Sequence, residues 1–138
     1  MTIRVRSALI LCALAGACDA LTGLLLVAAP AFTLHLMQIS SVPSEPIYMR
    51  WIGAFVFGVG SAYALPFLSR HAVARHRRLV GVLEVTAVLR ACIALFIAGA
   101  VLRGELERGW ITVFFTDAVL VALQLTWLTF REREPEVP

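Results

Sequence analysis

The sequence predicts an all-α membrane protein: a four-transmembrane-helix bundle running up-down-up-down with both termini in the cytoplasm. Three observations carry this expectation. Apolar runs long enough to cross the roughly 30 Å hydrocarbon core recur four times in the 138 residues. Charged residues make up only 15% of the chain against 60% hydrophobic, with a mean hydropathy of +0.87. A soluble domain carries roughly 25% charged residues, so this chain has too few to coat a water-facing surface. The arginines, finally, gather on alternate connections between the apolar runs.

The first run spans about Ala8 to Phe32, the second about Ile47 to Leu68, the third about Leu79 to Leu102, and the fourth about Trp110 to Phe130. Pro30 and Pro43 punctuate the first connection, and Ser44-Glu45-Pro46 leads into the second span. Gly104 and Gly109 bracket a short turn between the third and fourth. No internal repeat or second domain is visible, so residues 1–138 read as one membrane domain, with a flexible tail over Arg131 to Pro138.

Orientation follows from the basic residues, all 12 of which are arginine. Arg4 and Arg6 precede span one, Arg70, Arg75, Arg77 and Arg78 fill the loop after span two, and Arg131 and Arg133 follow span four. The opposite side holds Arg50, Arg103 and Arg108, offset by Glu45, Glu105 and Glu107. The positive-inside rule makes the eight-arginine side cytoplasmic, which predicts a multi-pass protein of a bacterial inner membrane. Trp51, Trp110 and Trp127 sit near span ends, where an interfacial aromatic belt belongs. Ala15-Gly16-Ala17-Cys18 resembles a lipoprotein cleavage site, but the apolar run continues past Cys18 to Leu36, unlike a signal peptide.

The informative residues are those ionisable at membrane depth: Asp19, Arg50, Glu84, Arg90 and Asp117. Each costs at least ~2.5 kcal/mol near a helix centre, so each should face protein or water. Small residues surround them. Ala8, Cys12, Ala15, Gly16, Thr22 and Gly23 flank Asp19, and Gly53, Ala54, Ser61 and Ala64 flank Arg50. Ala87, Ala91, Ala94 and Ala98 form a stripe between Glu84 and Arg90, and Asp117 shares a face with Gln124. Small residues let transmembrane helices approach closely. Asp19 and Arg90 both lie roughly 16 Å in from the cytoplasmic ends of their spans, and Asp117 roughly 10 Å in from the outer face. Arg90 is therefore expected to pair with Asp19 or Asp117, and Arg50 with Asp117. Glu84, in the cytoplasmic third beside Gln124, is left as a carboxyl without an obvious cation. Such pairs serve either to fix helix register or to line a ligand or ion pathway.

Other chemistry is not signalled. The three cysteines, Cys12, Cys18 and Cys92, form no CxxC pair and read as small packing residues. His35, His71 and His76 lie in loops or at span ends, away from the positions of haem ligands, and the latter two face anionic head groups. No GxSxG, HExxH, P-loop or dinucleotide fingerprint appears. The basic residues lack the aromatic interleaving of an RNA-binding surface, so no nucleic-acid partner, metal or cofactor is expected.

Arg50-Trp51-Ile52-Gly53-Ala54 followed by Gly58-Val59-Gly60, with Leu25 through Pro30, Arg90 and Thr116-Asp117-Ala118, resembles small bacterial four-helix membrane proteins of the DoxX-like kind, mostly uncharacterised. The resemblance covers the whole chain through short, glycine-biased motifs. It implies a four-helix bundle in the inner membrane. Some relatives are linked to quinone-coupled redox systems. Without redox cysteine pairs or haem-type histidines, any such activity here would come from a partner subunit.

Three functions follow, in this order. The first is an accessory subunit or a binder of a small apolar molecule, lipid or quinone, alone or in a larger membrane complex. The second is a proton-coupled small transporter working through Glu84, Asp19 or Asp117, as a homodimer packed on Ala54-xxx-Gly58-xxx-Ala62. The third is a membrane-embedded enzyme on a lipidic substrate, with Glu84 or Asp117 as acid–base groups. The expected site comprises Asp19, Arg50, Glu84, Arg90, Asp117 and Gln124.

Overall fold

The computed structural model of the chain describes residues 3–131. Among them the regular structure is helical: α1 (Ile3–Ala28), α2 (Pro30–Leu36), α3 (Pro46–Ala62), α4 (Ala72–Leu102) and α5 (Ile111–Arg131), with a 3-10 turn over Arg108–Trp110. Arg131 closes α5, and the rest of the expected flexible tail, 132–138, lies outside the described residues. Among the described residues, three stretches are long and apolar enough to cross a membrane: Ile3–Ala28, Ala72–Leu102 and Arg108–Phe130.

The helix boundaries depart from the apolar runs in three places, each for a local reason. The first run does not continue to Phe32 as one helix. Ala29 precedes a proline, which disfavours helical backbone at that position, and it sits at φ −141°, ψ 68°. Pro30 then takes the first position of α2, where its missing N–H costs nothing. The Ala29 carbonyl accepts both the Thr33 hydroxyl (2.9 Å) and the Thr33 N–H (3.0 Å), which fixes the break.

The second run, expected as helix to Leu68, is helical only to Ala62. Beyond it, tighter bonds take over: Ala64 N–H to the Ser61 carbonyl (3.0 Å), Leu65 to Ala62 (3.1 Å) and Phe67 to Ala64 (3.0 Å). Pro66, with no N–H, cannot continue an α-helix here. The third run starts earlier than expected, at Ala72, so Arg75, Arg77 and Arg78 stand on the first two turns of α4 rather than in a loop.

α1 and α3 pack antiparallel, backbone against backbone. A Cβ on Gly23 would lie 2.3 Å from the Phe57 nitrogen, and one on Gly60 would lie 2.4 Å from the Ala20 nitrogen. Only glycine permits that approach, the small-residue packing typical of helices in lipid. α4 and α5 also run antiparallel, and α1 lies alongside α4 through a core of Ala8, Cys12, Ala15, Leu79 and Leu83 that Tyr63 joins.

A second core caps the far end, where Leu26, Leu34, Ile39 and Met49 cluster with Trp110. Glu107 straps the connection before α3 to the turn before α5. One carboxylate oxygen accepts the Ser40 hydroxyl (2.7 Å) and the other the Ser41 N–H (3.1 Å).

The outward faces stay apolar. Leu14, Leu21, Phe55, Val88, Leu95 and Phe96 are each more than half exposed. Apolar surface on this scale is the mark of a protein that meets lipid or another protein.

Candidate functional site

Halfway along α4, Arg90 is buried, and all three of its guanidinium nitrogens are engaged. Nη1 donates to the carboxylate of Asp117 on α5, and Nη2 donates to the carboxylate of Asp19 on α1. Nε donates to the hydroxyl of Tyr63, just past the end of α3, at 3.1 Å. The guanidinium also lies 5.8 Å from the centre of the Tyr63 ring. One side chain thus ties together α1, α4, α5 and the turn that follows α3. Arginine suits this role because its planar fork presents several donors in fixed directions and keeps its charge when buried.

The network continues away from the charges. Gln124 is fully buried on α5, and its amide nitrogen donates to the Tyr63 hydroxyl (2.6 Å) and to the Thr86 hydroxyl (3.2 Å). Thr86 donates in turn to the Val82 carbonyl at 2.6 Å. Among the described residues, the Gln124 carbonyl oxygen is buried without a partner. The cluster therefore holds two carboxylates, one guanidinium and one free acceptor, and with every group ionised it carries one net negative charge. Burial of unbalanced charge is costly, and the two acids share the single cation Arg90.

Four of the expected residues meet here: Asp19, Arg90, Asp117 and Gln124. The face expected on α1 is also found, with Ala8, Cys12, Ala15, Gly16 and Gly23 buried. Glu84 is not part of the site. It was expected buried beside Gln124 but stands exposed on α4. The reason lies in the wheel. The buried face of α4 is centred on Leu79, Leu83, Thr86, Arg90 and Ile97. The alanine stripe forms one edge of that face, and Glu84 lies about 130° from its centre at 100° per residue.

Arg50 is also a correction. The expected Arg50–Asp117 pair does not form, because Asp117 is held by Arg90 and Arg50 is exposed. Of the small residues expected to bury it, only Gly53 is buried, since α1 covers just the Gly53–Gly60 side of α3. The cysteines divide: Cys12 packs inside, while Cys18 and Cys92 are exposed, and all three are free thiols.

Sequence reasoning missed Tyr63 and Thr86. Tyr63 sits at the end of an apolar run, where it reads as one more interfacial aromatic. Its signal is position: it lies on the Gly53–Gly60 side that meets α1. Thr86 lies one turn before Arg90 on the same face, a spacing that was available from the sequence.

No protein-family model, no curated protein and no solved structure matches this chain.

Proposed function

We propose that this chain is a small four-helix protein of the bacterial inner membrane, of the DoxX-like kind, that serves as an accessory subunit or as a binder of a small apolar molecule, lipid or quinone. In this reading the chain crosses the membrane up-down-up-down with both termini in the cytoplasm. The antiparallel contacts of α1 with α3 and of α4 with α5 support that course. So does the concentration of arginine at one end of the molecule. α3 has 17 residues and the turns to Leu68 extend it, enough to carry apolar chain across most of a bilayer.

The observation that carries the functional reading is the saturation of Arg90. A guanidinium already committed to Asp19, Asp117 and Tyr63 acts as a clasp between helices, and the surface left for recognition is the apolar exterior. The test is gentle purification of the full chain from its own membrane, followed by native mass spectrometry. A stoichiometric lipid, quinone or second subunit supports the reading, and a bare chain that exchanges freely with detergent overturns it.

A second reading, proton-coupled transport, draws on a different observation: the cluster has one carboxylate more than its cation balances, and the Gln124 carbonyl oxygen awaits a donor. Here Asp19 and Asp117, not Glu84, are the groups to neutralise. In liposomes with an imposed pH gradient, proton uptake that disappears in D19N or D117N favours transport over the clasp.

A further inference from the structure

The first turns of α3 border an open groove of about 510 Å³ lined by Ile47, Tyr48, Arg50 and Trp51. Ile47, Tyr48 and Trp51 are each more than half exposed, so the groove walls are apolar and face outward. Arg50 is exposed beside them. Among the described residues no carboxylate pairs with it. Arg103, on the same side of the chain, is by contrast neutralised by Glu105 at 2.8 Å. Arg50 lines the groove with its aliphatic stem, and an exposed guanidinium beside so apolar a lining suits a partner with an anionic head and an apolar body.

We propose that this groove seats an anionic phospholipid, with its phosphate on Arg50 and an acyl chain against Ile47 and Trp51. Guanidinium binds phosphate through paired, charge-assisted hydrogen bonds. Tyr48 and Trp51 combine an apolar ring with a polar edge, which suits the depth where head group meets acyl chain. Charge complementarity favours a lipid phosphate as the occupant: in phosphatidylglycerol it is uncompensated, whereas in phosphatidylcholine the choline cation already balances it. Below the groove the path for the chain is open. Ala54 and Gly58 follow on the exposed side of α3, and a Cβ built on Gly58 meets nothing within 4 Å. This site lies apart from the buried clasp. It rests on the membrane location of the chain but not on the accessory role.

The test uses the full chain in detergent with equal amounts of phosphatidylglycerol and phosphatidylcholine, read by native mass spectrometry. The wild type should retain one phosphatidylglycerol in preference to phosphatidylcholine. R50Q should lower that preference roughly tenfold, the loss of a charge-assisted contact, and R50K should restore part of it. Bulk placed in the path by G58L should weaken retention with Arg50 intact. Both positions are exposed, so the fold, checked by circular dichroism, should be unchanged. Equal retention by wild type and R50Q would overturn the proposal. So would displacement of the lipid by inorganic phosphate alone, which would mark a headgroup-only anion site. A dimer that G58L dissolves would assign the face to a second copy instead. Recovery of the wild type in the aqueous fraction of cells would refute the membrane location itself, a separate failure.

Discussion

The two long seams of this molecule are joined in opposite ways. Between α1 and α3 there is almost no side chain: Gly23 meets the backbone at Gly53 and Phe57, and Gly60 meets Ala20. Where α4 meets α5 and α1, the contact is instead a network of charge and hydrogen bonds centred on Arg90. Both solve the same difficulty. In lipid, burying a leucine against another leucine gains little, since the hydrocarbon tails are equally apolar. Helices then need either backbone proximity or polar contacts to hold together. The glycine seam supplies dispersion and shape without any directional requirement. The charged seam supplies direction, and it fixes register, because a one-turn slip would leave carboxylates stranded.

This contrast predicts an ordering of substitutions. The largest effect belongs to R90L, which leaves Asp19 and Asp117 buried and unpaired. It should cost roughly 3–5 kcal/mol, read as loss of thermal stability in detergent. Replacing Arg90, Asp19 and Asp117 together by apolar residues should recover most of that loss, because no charge is then left behind. A triple variant as unstable as R90L would mean that the seam depends on the network for more than charge balance.

Next is G23A, at a position where the added Cβ would stand 2.3 Å from backbone. Overpacking there should cost roughly 1–3 kcal/mol, and crosslinking between α1 and α3 should report the separation of the two helices. If G23A melts with the wild type, the glycine seam is not the close contact described here.

Smaller still is D19N. The cluster has one acid in excess, and Asp19 is the less buried of the two, at 15% side-chain exposure against 9% for Asp117. Its neutralisation should fall within about 1 kcal/mol of wild type, because it removes one hydrogen bond and relieves repulsion together. A loss as large as that of R90L would show the two carboxylates to be balanced by something other than Arg90.

The mildest effect concerns the strap at the far end. The Ser40 hydroxyl, and after it the Ser41 N–H, hold the Glu107 carboxyl below the usual carboxylate range. A carboxyl with a depressed folded pKa contributes stability above its unfolded pKa, and that contribution fades as pH falls through the lower folded value. Thermal stability should therefore decline slightly on acidification below about pH 4, and E107Q should flatten that part of the profile. An unchanged profile in E107Q would exclude the strap as the source.

The sequence foretold the charged seam better than it did the edges of the helices. Asp19, Arg90, Asp117 and Gln124 were conspicuous because ionisable and amide side chains are costly in an apolar run, and depth along the helix brought Asp19 level with Arg90. Glu84 was conspicuous for the same reason, yet it faces outward. Depth is written in residue number, but azimuth depends on which side the neighbouring helices take. The alanine stripe of α4 pointed to a face that proved to be only its margin. The break at Ala29 could be read from Pro30. The end of α3 could not be read as easily, because the residues after Ala62 remain apolar while their hydrogen bonds tighten from four residues back to three. Tyr63 escaped notice because an aromatic at a span end carries the same look whether it anchors to an interface or closes a buried network.

The Arg90–Asp19 contact joins residues 71 positions apart, whereas Arg90 and Asp117 are separated by 27. α1 and α3 precede both α4 and α5 in the chain, so the order of synthesis matters to the arginine. When α4 leaves the ribosome, Asp19 has already been synthesised and Asp117 has not. A helix that carries a lone arginine is a poor candidate for entry into lipid. The carboxylate on α1 thus precedes the arginine in the chain, and the one on α5 follows it.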